Sequence, residues 1–156
     1  MPETAVLPAT THTIEWLALS LTPGLGPTRA RKLVERFGSS EAVFHASLTE
    51  LESTEIQAVS AQSIATGKST ELAREELARA SQAGVTVLCI QDALYPSHLK
   101  EIYDPPVVLY VRGDAEILSK PGIAIVGTRH PTPYGSGMPQ QRMRLRAPRT
   151  AATAKF

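Results

Sequence analysis

The sequence predicts an all-helical region followed by the opening of an α/β layered domain. Between residues 11 and 66, apolar residues recur at the spacing of amphipathic helices, separated by turns that contain Gly and Pro. From residue 69, one more helical stripe leads into three short β-branched runs that are typical of buried strands. The chain is therefore predicted to comprise a flexible N-terminus (1–12), a helical domain (13–68), the start of an α/β domain (69–137) and a tail (138–156).

Three helices are predicted in the first part of the helical domain. The first begins near Thr11 or Thr13, since a threonine hydroxyl can cap a helix N-terminus. The second begins with Pro27, which suits the first helical position, and ends at Gly38. The third covers Glu41–Ala46. The apolar stripes of the first two helices are Ile14, Leu17, Ala18 and Leu21, and Ala30, Leu33, Val34 and Phe37.

A fourth helical segment completes this predicted domain. Thr49 and Glu52 have the spacing of a capping box, so we expect a segment that begins there and reaches about Ala65. Gly67 and Lys68 are then predicted to form a linker to the next domain.

The second domain is predicted to begin with a helix that ends at Gly84. Strands are expected at Val85–Ile90, Val107–Val111 and Ile123–Val126. A complete doubly wound sheet needs more strands and crossover helices than follow the third strand. Residues 138–156 have no apolar period and no β-branched aliphatic residue, so we expect them to be disordered.

Composition excludes several kinds of site. Cys89 is the single cysteine, which excludes an internal disulfide, and the four histidines lack the spacing of metal ligands. We therefore expect neither a metal nor a cofactor, and a buried, inert thiol. The N-terminus lacks the features of a signal peptide, and no apolar run approaches the ~18 residues of a membrane span. The sequence predicts a cytoplasmic protein without a membrane contact.

The net charge of +1 conceals an uneven distribution of charge along the chain. Residues 1–137 hold 11 basic and 15 acidic residues, whereas residues 138–156 hold five basic residues and no acidic one. Nucleic-acid binding by the main body must therefore depend on local geometry and not on bulk charge. The basic tail can attract nucleic acid, but its composition favours an unselected extension of the kind that a frameshift leaves.

The turn between the first two helices has the pattern of a helix-hairpin-helix (SAM-like) motif. Gly24 and Gly26 allow the backbone to turn sharply and to approach a partner closely. Amides at the start of the following helix can bind a DNA phosphate. Arg29, Lys32 and Arg36 form a basic stripe beside the turn. The alternative is a purely structural turn with a solvated helix face, and the sequence leaves it open.

A second candidate site follows the third predicted strand. Gly127 allows close approach of the backbone to a phosphate, Thr128 supplies a hydroxyl and Arg129 a charged fork. Tyr134 can stack on an unpaired base, and Gly135 opens the next predicted helix. As an isolated triplet, Gly-Thr-Arg would be an ordinary turn, so its interpretation depends on the surrounding sequence.

That surrounding sequence contains three motifs in order and at close spacing. With them, the chain resembles the DNA-processing protein A family (DprA, also called Smf) over residues 13–137. The motifs are Tyr95-Pro96 with Leu99; Asp104-Pro105-Pro106 followed by Leu109-Tyr110 and Arg112-Gly113; and Ile123-Ala124-Ile125-Val126-Gly127-Thr128-Arg129 with Tyr134-Gly135.

The resemblance implies a Rossmann-like second domain and a non-catalytic role in natural transformation (competence) and DNA recombination. Members of the family bind single-stranded DNA and help to load RecA, and residues 127–135 would form the first half of the DNA groove. The family also forms homodimers and carries a second Gly-rich segment of the type SGxARGID. Nothing of that kind follows Gly135, so we expect a truncated, functionally impaired form without the dimer surface.

Two other functions stay open at this point. Rossmann-like phosphoribohydrolases use a similar Gly-Ser/Thr-Arg loop to hold a nucleotide phosphate, which would make the protein an enzyme. The helical domain can also serve as a protein-interaction module. The Tyr-Pro and Asp-Pro-Pro segments, which we interpret as structural, are absent from the phosphoribohydrolases and favour the DNA-binding reading.

Overall fold

A computed structural model of the protein describes residues 10–121 and a short backbone segment at 153–155. The second candidate site, at residues 127–135, lies outside the described residues, as does the predicted strand Ile123–Val126. The helices are α1 (Thr11–Leu21), α2 (Pro27–Phe37), α3 (Ser40–His45), α4 (Leu48–Glu52), α5 (Ala58–Ala65), α6 (Lys68–Gln82), α7 (Ser97–Lys100) and a 3-10 turn at Ala115–Ser119; the strands are β1 (Val85–Cys89), β2 (Val108–Arg112) and β3 (Thr153–Lys155).

Helix α1 begins, and helix α2 begins and ends, where local chemistry predicts. The hydroxyl of Thr10 accepts a hydrogen bond from the Thr13 amide at the start of α1. Pro27 is the first residue of α2, and Gly38 ends it in the left-handed region at φ 86°. These predictions are confirmed. Since α1 begins at Thr11, its first two residues lie in the segment predicted to be flexible, and that boundary is corrected.

The next part of the chain differs from the prediction. Ser47, not Thr49, caps α4: its hydroxyl accepts from the Glu50 amide, and the Glu50 carboxylate accepts from the Ser47 amide. In the helix that begins at this cap, Leu51 is completely buried. The segment predicted to run from Thr49 to Ala65 is two helices, α4 and α5.

The predicted linker at Gly67 and Lys68 is also wrong. Gly67 turns the chain in the left-handed region at φ 75°, and Lys68 already belongs to α6. Helix α6 packs mainly against α1. At this junction the hydroxyls of Thr22 and Ser63 both lie 2.8 Å from the buried Ser69 hydroxyl.

Strands β1 and β2 pair in an antiparallel arrangement, with Leu88 opposite Leu109. Strand β3, which the sequence does not predict, pairs antiparallel with the other edge of β2. Residues 153–155 of the tail form this strand, and the disorder expected for the tail stays a prediction. The order of helices followed by a smaller helix-and-strand region is confirmed. The Rossmann-like topology stays a prediction.

Each face of the β1–β2 pair contributes to a different core. Val87 and Cys89 pack into a large cluster formed with α1 and α6, whereas Leu88, Leu109 and Val111 belong to a smaller cluster on the opposite face. Because both faces are covered, these strands appear in the sequence as continuous apolar runs, without the alternation of a half-exposed sheet. The described helices include none long and apolar enough to cross a membrane.

Candidate nucleic-acid interface

Helix α2 presents the predicted basic stripe on one side of an open cleft. Arg29, Lys32 and Arg36 are exposed, as expected for residues spaced by three and four along one face. The cleft has a volume of about 440 Å³, and buried Leu33 lies among its lining residues. The full lining comprises Thr28, Arg29, Lys32, Leu33 and Arg36 from α2, and Thr54, Glu55 and Ile56 from the α4–α5 connection.

The three basic side chains are available for an external anion. Within residues 10–121, the ion pairs of the structure involve none of Arg29, Lys32 and Arg36. Arg29 makes one contact with the hinge, as we call the turn from Gly24 to Gly26 that joins α1 to α2: its Nη1 donates a long hydrogen bond of 3.4 Å to the Gly24 carbonyl. Glu55 places one carboxylate on the opposite wall, so basic groups outnumber acidic ones in the lining. The cleft is suited to a polyanion held by its phosphates.

The two hinge glycines have different environments. Gly24 has φ 75°, and a Cβ there would collide with the Gln57 side chain and come within 3.3 Å of the Ser60 hydroxyl. The same hydroxyl donates to the Pro23 carbonyl at 2.7 Å. A close intramolecular approach to α5 therefore explains Gly24. Around Gly26, which precedes α2, a Cβ would meet open space.

A carboxylate that the sequence analysis treated as structural lies beside the first turn of α2. Thr28 Oγ1 donates to Asp104 Oδ1 at 2.9 Å, and Arg31 Nη2 donates to the same oxygen at 3.3 Å. Asp104 belongs to the Asp-Pro-Pro segment, more than 70 residues away along the chain. No local pattern relates these positions, so sequence reasoning had no signal for this contact.

The Tyr-Pro and Asp-Pro-Pro segments fix each other's position, as their structural interpretation requires. Pro96 and Pro105 are fully buried, and the Tyr95 hydroxyl donates to the Pro106 carbonyl at 2.6 Å. Burial raises the pKa of the Tyr95 phenol, against a smaller lowering by the Arg31 charge. The phenol therefore keeps its proton and its role as a donor at neutral pH.

The structure brings Arg29, Lys32 and Arg36 together around the cleft. It places Gly24 against α5 and Gly26 at the start of α2. The second candidate site consists of Gly127, Thr128, Arg129, Tyr134 and Gly135, whose relation to the cleft is outside the described residues. Over residues 10–121, no group of three or more His, Cys, Asp and Glu side chains is arranged to hold a metal ion.

Comparison with known proteins relates the chain to proteins of DNA recombination. Residues 86–150 match the family described as DNA recombination-mediator protein A. This match extends past residue 137, into the tail that the sequence analysis took to be unrelated to the family. It also includes the Asp-Pro-Pro segment and the Gly-Thr-Arg loop.

Three curated relatives agree with this match. The chain is 50% identical over 60 residues to the DNA processing protein DprA of Bacillus subtilis, which covers 38% of this chain and 20% of that protein. It is 32% identical over 128 residues to the protein Smf of Synechocystis, covering 78% and 32% of the two chains. It is 48% identical over 40 residues to DprA of Streptococcus pneumoniae, covering 26% and 14%.

The resemblance to the DprA/Smf family is therefore confirmed: the chain is similar to members of that family, and residues 86–150 match the family model. A match over 78% of the chain is too long to lie within residues 69–156, so it includes part of the helical region. The matches span at most about a third of the length of these relatives.

Proposed function

We propose that this protein is a non-catalytic DNA-binding mediator of recombination, which binds single-stranded DNA and acts with RecA during natural transformation. The observation that carries the proposal is the match of residues 86–150 to the DNA recombination-mediator family. A cytoplasmic location belongs to the same proposal. The basic cleft on α2 supports it by supplying a surface suited to a polyanion.

In this proposal the cleft binds the DNA backbone without reading its sequence. Lys32 and Arg36 lie one turn apart on the exposed face of α2 and approach phosphates along one side of the cleft. Arg29, which already contacts the hinge carbonyl, adds a third charge close to the start of the helix. Glu55 weakens the site, so affinity should be moderate and sensitive to salt.

The loop at residues 127–135 supplies the second part of the proposed DNA surface. Gly127 and Gly135 would allow close approach of the backbone, Thr128 and Arg129 would bind phosphate, and Tyr134 would stack on a base. We expect Arg129→Ala to lower affinity for single-stranded DNA by ~1.5–3 kcal/mol, as for a hydrogen bond to a charged group. Equal affinities and equal salt dependence for the variant and the parent protein would place Arg129 outside the interface.

The cleft is tested with the double variant Lys32→Gln/Arg36→Gln, measured by fluorescence anisotropy with labelled oligo-dT over a range of salt concentrations. Glutamine keeps the helix propensity and removes both charges, and Arg29 is left in place because it contacts the hinge. If both side chains contact phosphates, the slope of log association constant against log salt concentration should become less steep by about 1.4. Affinity should fall most at low salt.

The control is Lys68→Gln/Arg74→Gln, which removes two exposed charges from α6, outside the cleft. This control should change the salt slope much less than the cleft variant. Equal effects of the two variants would show that bulk charge, and not the cleft, attracts DNA. Release of free base from a nucleoside monophosphate by the purified protein would contradict the non-catalytic role.

A further inference from the structure

Tyr103 has a side chain with no evident structural role. Its relative exposure is 103%, so the ring is in full contact with solvent and adds nothing to either core. The other aromatic side chains that the structure describes are buried or half-buried. These are Trp16, Phe37, Phe44, Tyr95 and Tyr110. Ile102, next to Tyr103, is exposed by 47%, which makes a small apolar projection.

The residues that follow this projection are anchored. Asp104 is held by Thr28 and Arg31 of α2, at 2.9 and 3.3 Å. Pro105 is fully buried, and the carbonyl of Pro106 accepts the Tyr95 hydroxyl at 2.6 Å. Because the backbone that follows Tyr103 is already held, a partner that binds the ring has to order the side chain but little of this backbone.

These anchors also place Tyr103 beside the basic cleft. Thr28, which holds Asp104, is itself part of the cleft lining. Adjacent Cα atoms are ~3.8 Å apart. The Tyr103 backbone therefore lies next to Asp104, which is hydrogen-bonded to Thr28 in the cleft wall. On α2, Thr28 and Arg31 face Asp104. Each is followed directly by a residue of the basic stripe, Arg29 or Lys32, which lies on the adjoining face of the helix.

We propose that Tyr103 stacks on an unpaired base of a single-stranded nucleic acid whose phosphates lie along Arg29, Lys32 and Arg36. The proposal rests on the DNA-binding function proposed above and adds a residue that favours single strands. A basic cleft alone binds the backbone of single-stranded and duplex DNA alike. An exposed ring adds affinity for an unpaired base, because the faces of bases inside a duplex are already covered by their neighbours.

The test compares Tyr103→Ala and Tyr103→Phe in the full chain, with labelled oligo-dT, a duplex of equal length and an abasic oligodeoxynucleotide. Because Tyr103 is fully exposed, neither substitution removes a packing contact, so both variants should fold. Val59→Ala serves as the control, since it trims another exposed apolar side chain, 51% exposed and outside the cleft.

Tyr103→Ala should weaken oligo-dT binding by roughly tenfold, with the salt slope unchanged because no charge is lost. Tyr103→Phe and Val59→Ala should bind oligo-dT as the parent protein does. Affinities for the duplex and for the abasic strand should be the same for all four proteins, since neither ligand offers an unpaired base. These results would support base stacking by Tyr103.

Two different failures can be told apart. If the parent protein binds none of the three ligands, the proposed function fails. If the parent protein binds oligo-dT and Tyr103→Ala binds it equally well, only the stacking role is overturned, and the projection would then fit a protein partner better. An equal loss on oligo-dT and on the abasic strand would also overturn it, because that loss would not depend on a base.

Discussion

The two faces of the β1–β2 pair are covered by different parts of the chain. One face packs against α1 and α6, through Val87 and Cys89, in the large core. The other face, with Leu88 and Leu109, is covered by the chain between the two strands and just after them, including Leu94, Leu99 and Leu118. The first core joins residues far apart in sequence, and the second forms within about 30 residues.

This difference shows that the helical region is more than an appendage of the sheet. Its helices supply one of the two apolar layers that bury β1 and β2. Asp92 adds a polar link: its carboxylate accepts from the Cys89 amide at 2.6 Å and from the Thr13 hydroxyl at 3.3 Å. The proposed DNA cleft on α2 and the anchored Tyr103 loop are therefore parts of one packed unit.

The largest expected effect comes from cutting the chain after Lys68, at the predicted domain boundary. This cut removes all of α6 except its first residue and so exposes part of the surface of α1, the helix that α6 packs against. We expect the fragment to lose its cooperative thermal transition in far-UV circular dichroism. A fragment ending at Gly84, which keeps α6, should regain helical signal.

A cooperative melt of the shorter fragment, at a temperature near that of the full chain, would contradict this expectation. It would also support the independent helical domain that the sequence predicts for residues 13–68. In that case the contact between α1 and α6 would add little to the stability of the helices.

A smaller effect is expected from Leu109→Ala in the smaller core, which forms within about 30 residues of the chain. Leu109 is fully buried, so the substitution should cost ~2–5 kcal/mol of unfolding free energy. Trp16 is the single tryptophan and lies in the other core, at 3% exposure. If the two cores unfold together, the Trp16 fluorescence transition should shift with the circular dichroism signal. A Trp16 transition unchanged by Leu109→Ala would show that the cores unfold separately.

The smallest effect concerns Cys89, which is buried in the large core that β1 forms with α1 and α6. Burial, with a smaller contribution from the nearby Asp92 carboxylate, raises the pKa of the thiol from 9.0 to about 11. The folded state thus retains the proton that the unfolded thiol loses. The associated stability is present below pH 9 and is lost as the pH rises from 9 towards 11.

Thiolate is the reactive form, so alkylation of native Cys89 by iodoacetamide at pH 8 should be much slower than alkylation of the urea-unfolded chain. The rate is followed by mass spectrometry. Equal rates for the native and the unfolded protein would mean that Cys89 is accessible and that the junction between helices and sheet opens readily.

Local rules predicted much of the helical region. They gave the wrong cap for α4, and this failure has a physical cause. Ser47 with Glu50 and Thr49 with Glu52 have the same spacing, so the sequence pattern alone allows either capping box. The structure shows the first of these, with Leu51 in the core. A local pattern with two solutions is resolved by packing, which the pattern does not contain.

The candidate site likewise has a part that local rules predict and a part that only packing determines. Arg29, Lys32 and Arg36 were predicted to share a face because helix geometry alone places them there. The opposite wall of the cleft, including Glu55, and the contact of Asp104 with Thr28 depend on how distant segments pack. Tyr103 gave no signal in the sequence, because the exposure of a ring depends on what surrounds it.

By itself, the sequence determined where α1 begins, where α2 begins and ends, which runs form β1 and β2, and which family the chain resembles. Those properties depend on residues within a few positions of one another, such as Pro27 at the start of α2 and Gly38 at its end. Only the tertiary structure decided the antiparallel pairing of β1 with β2 and the packing of α6 on α1. The reason is that contacts between segments far apart in sequence are selected by the burial of both partners together, which neither segment specifies alone.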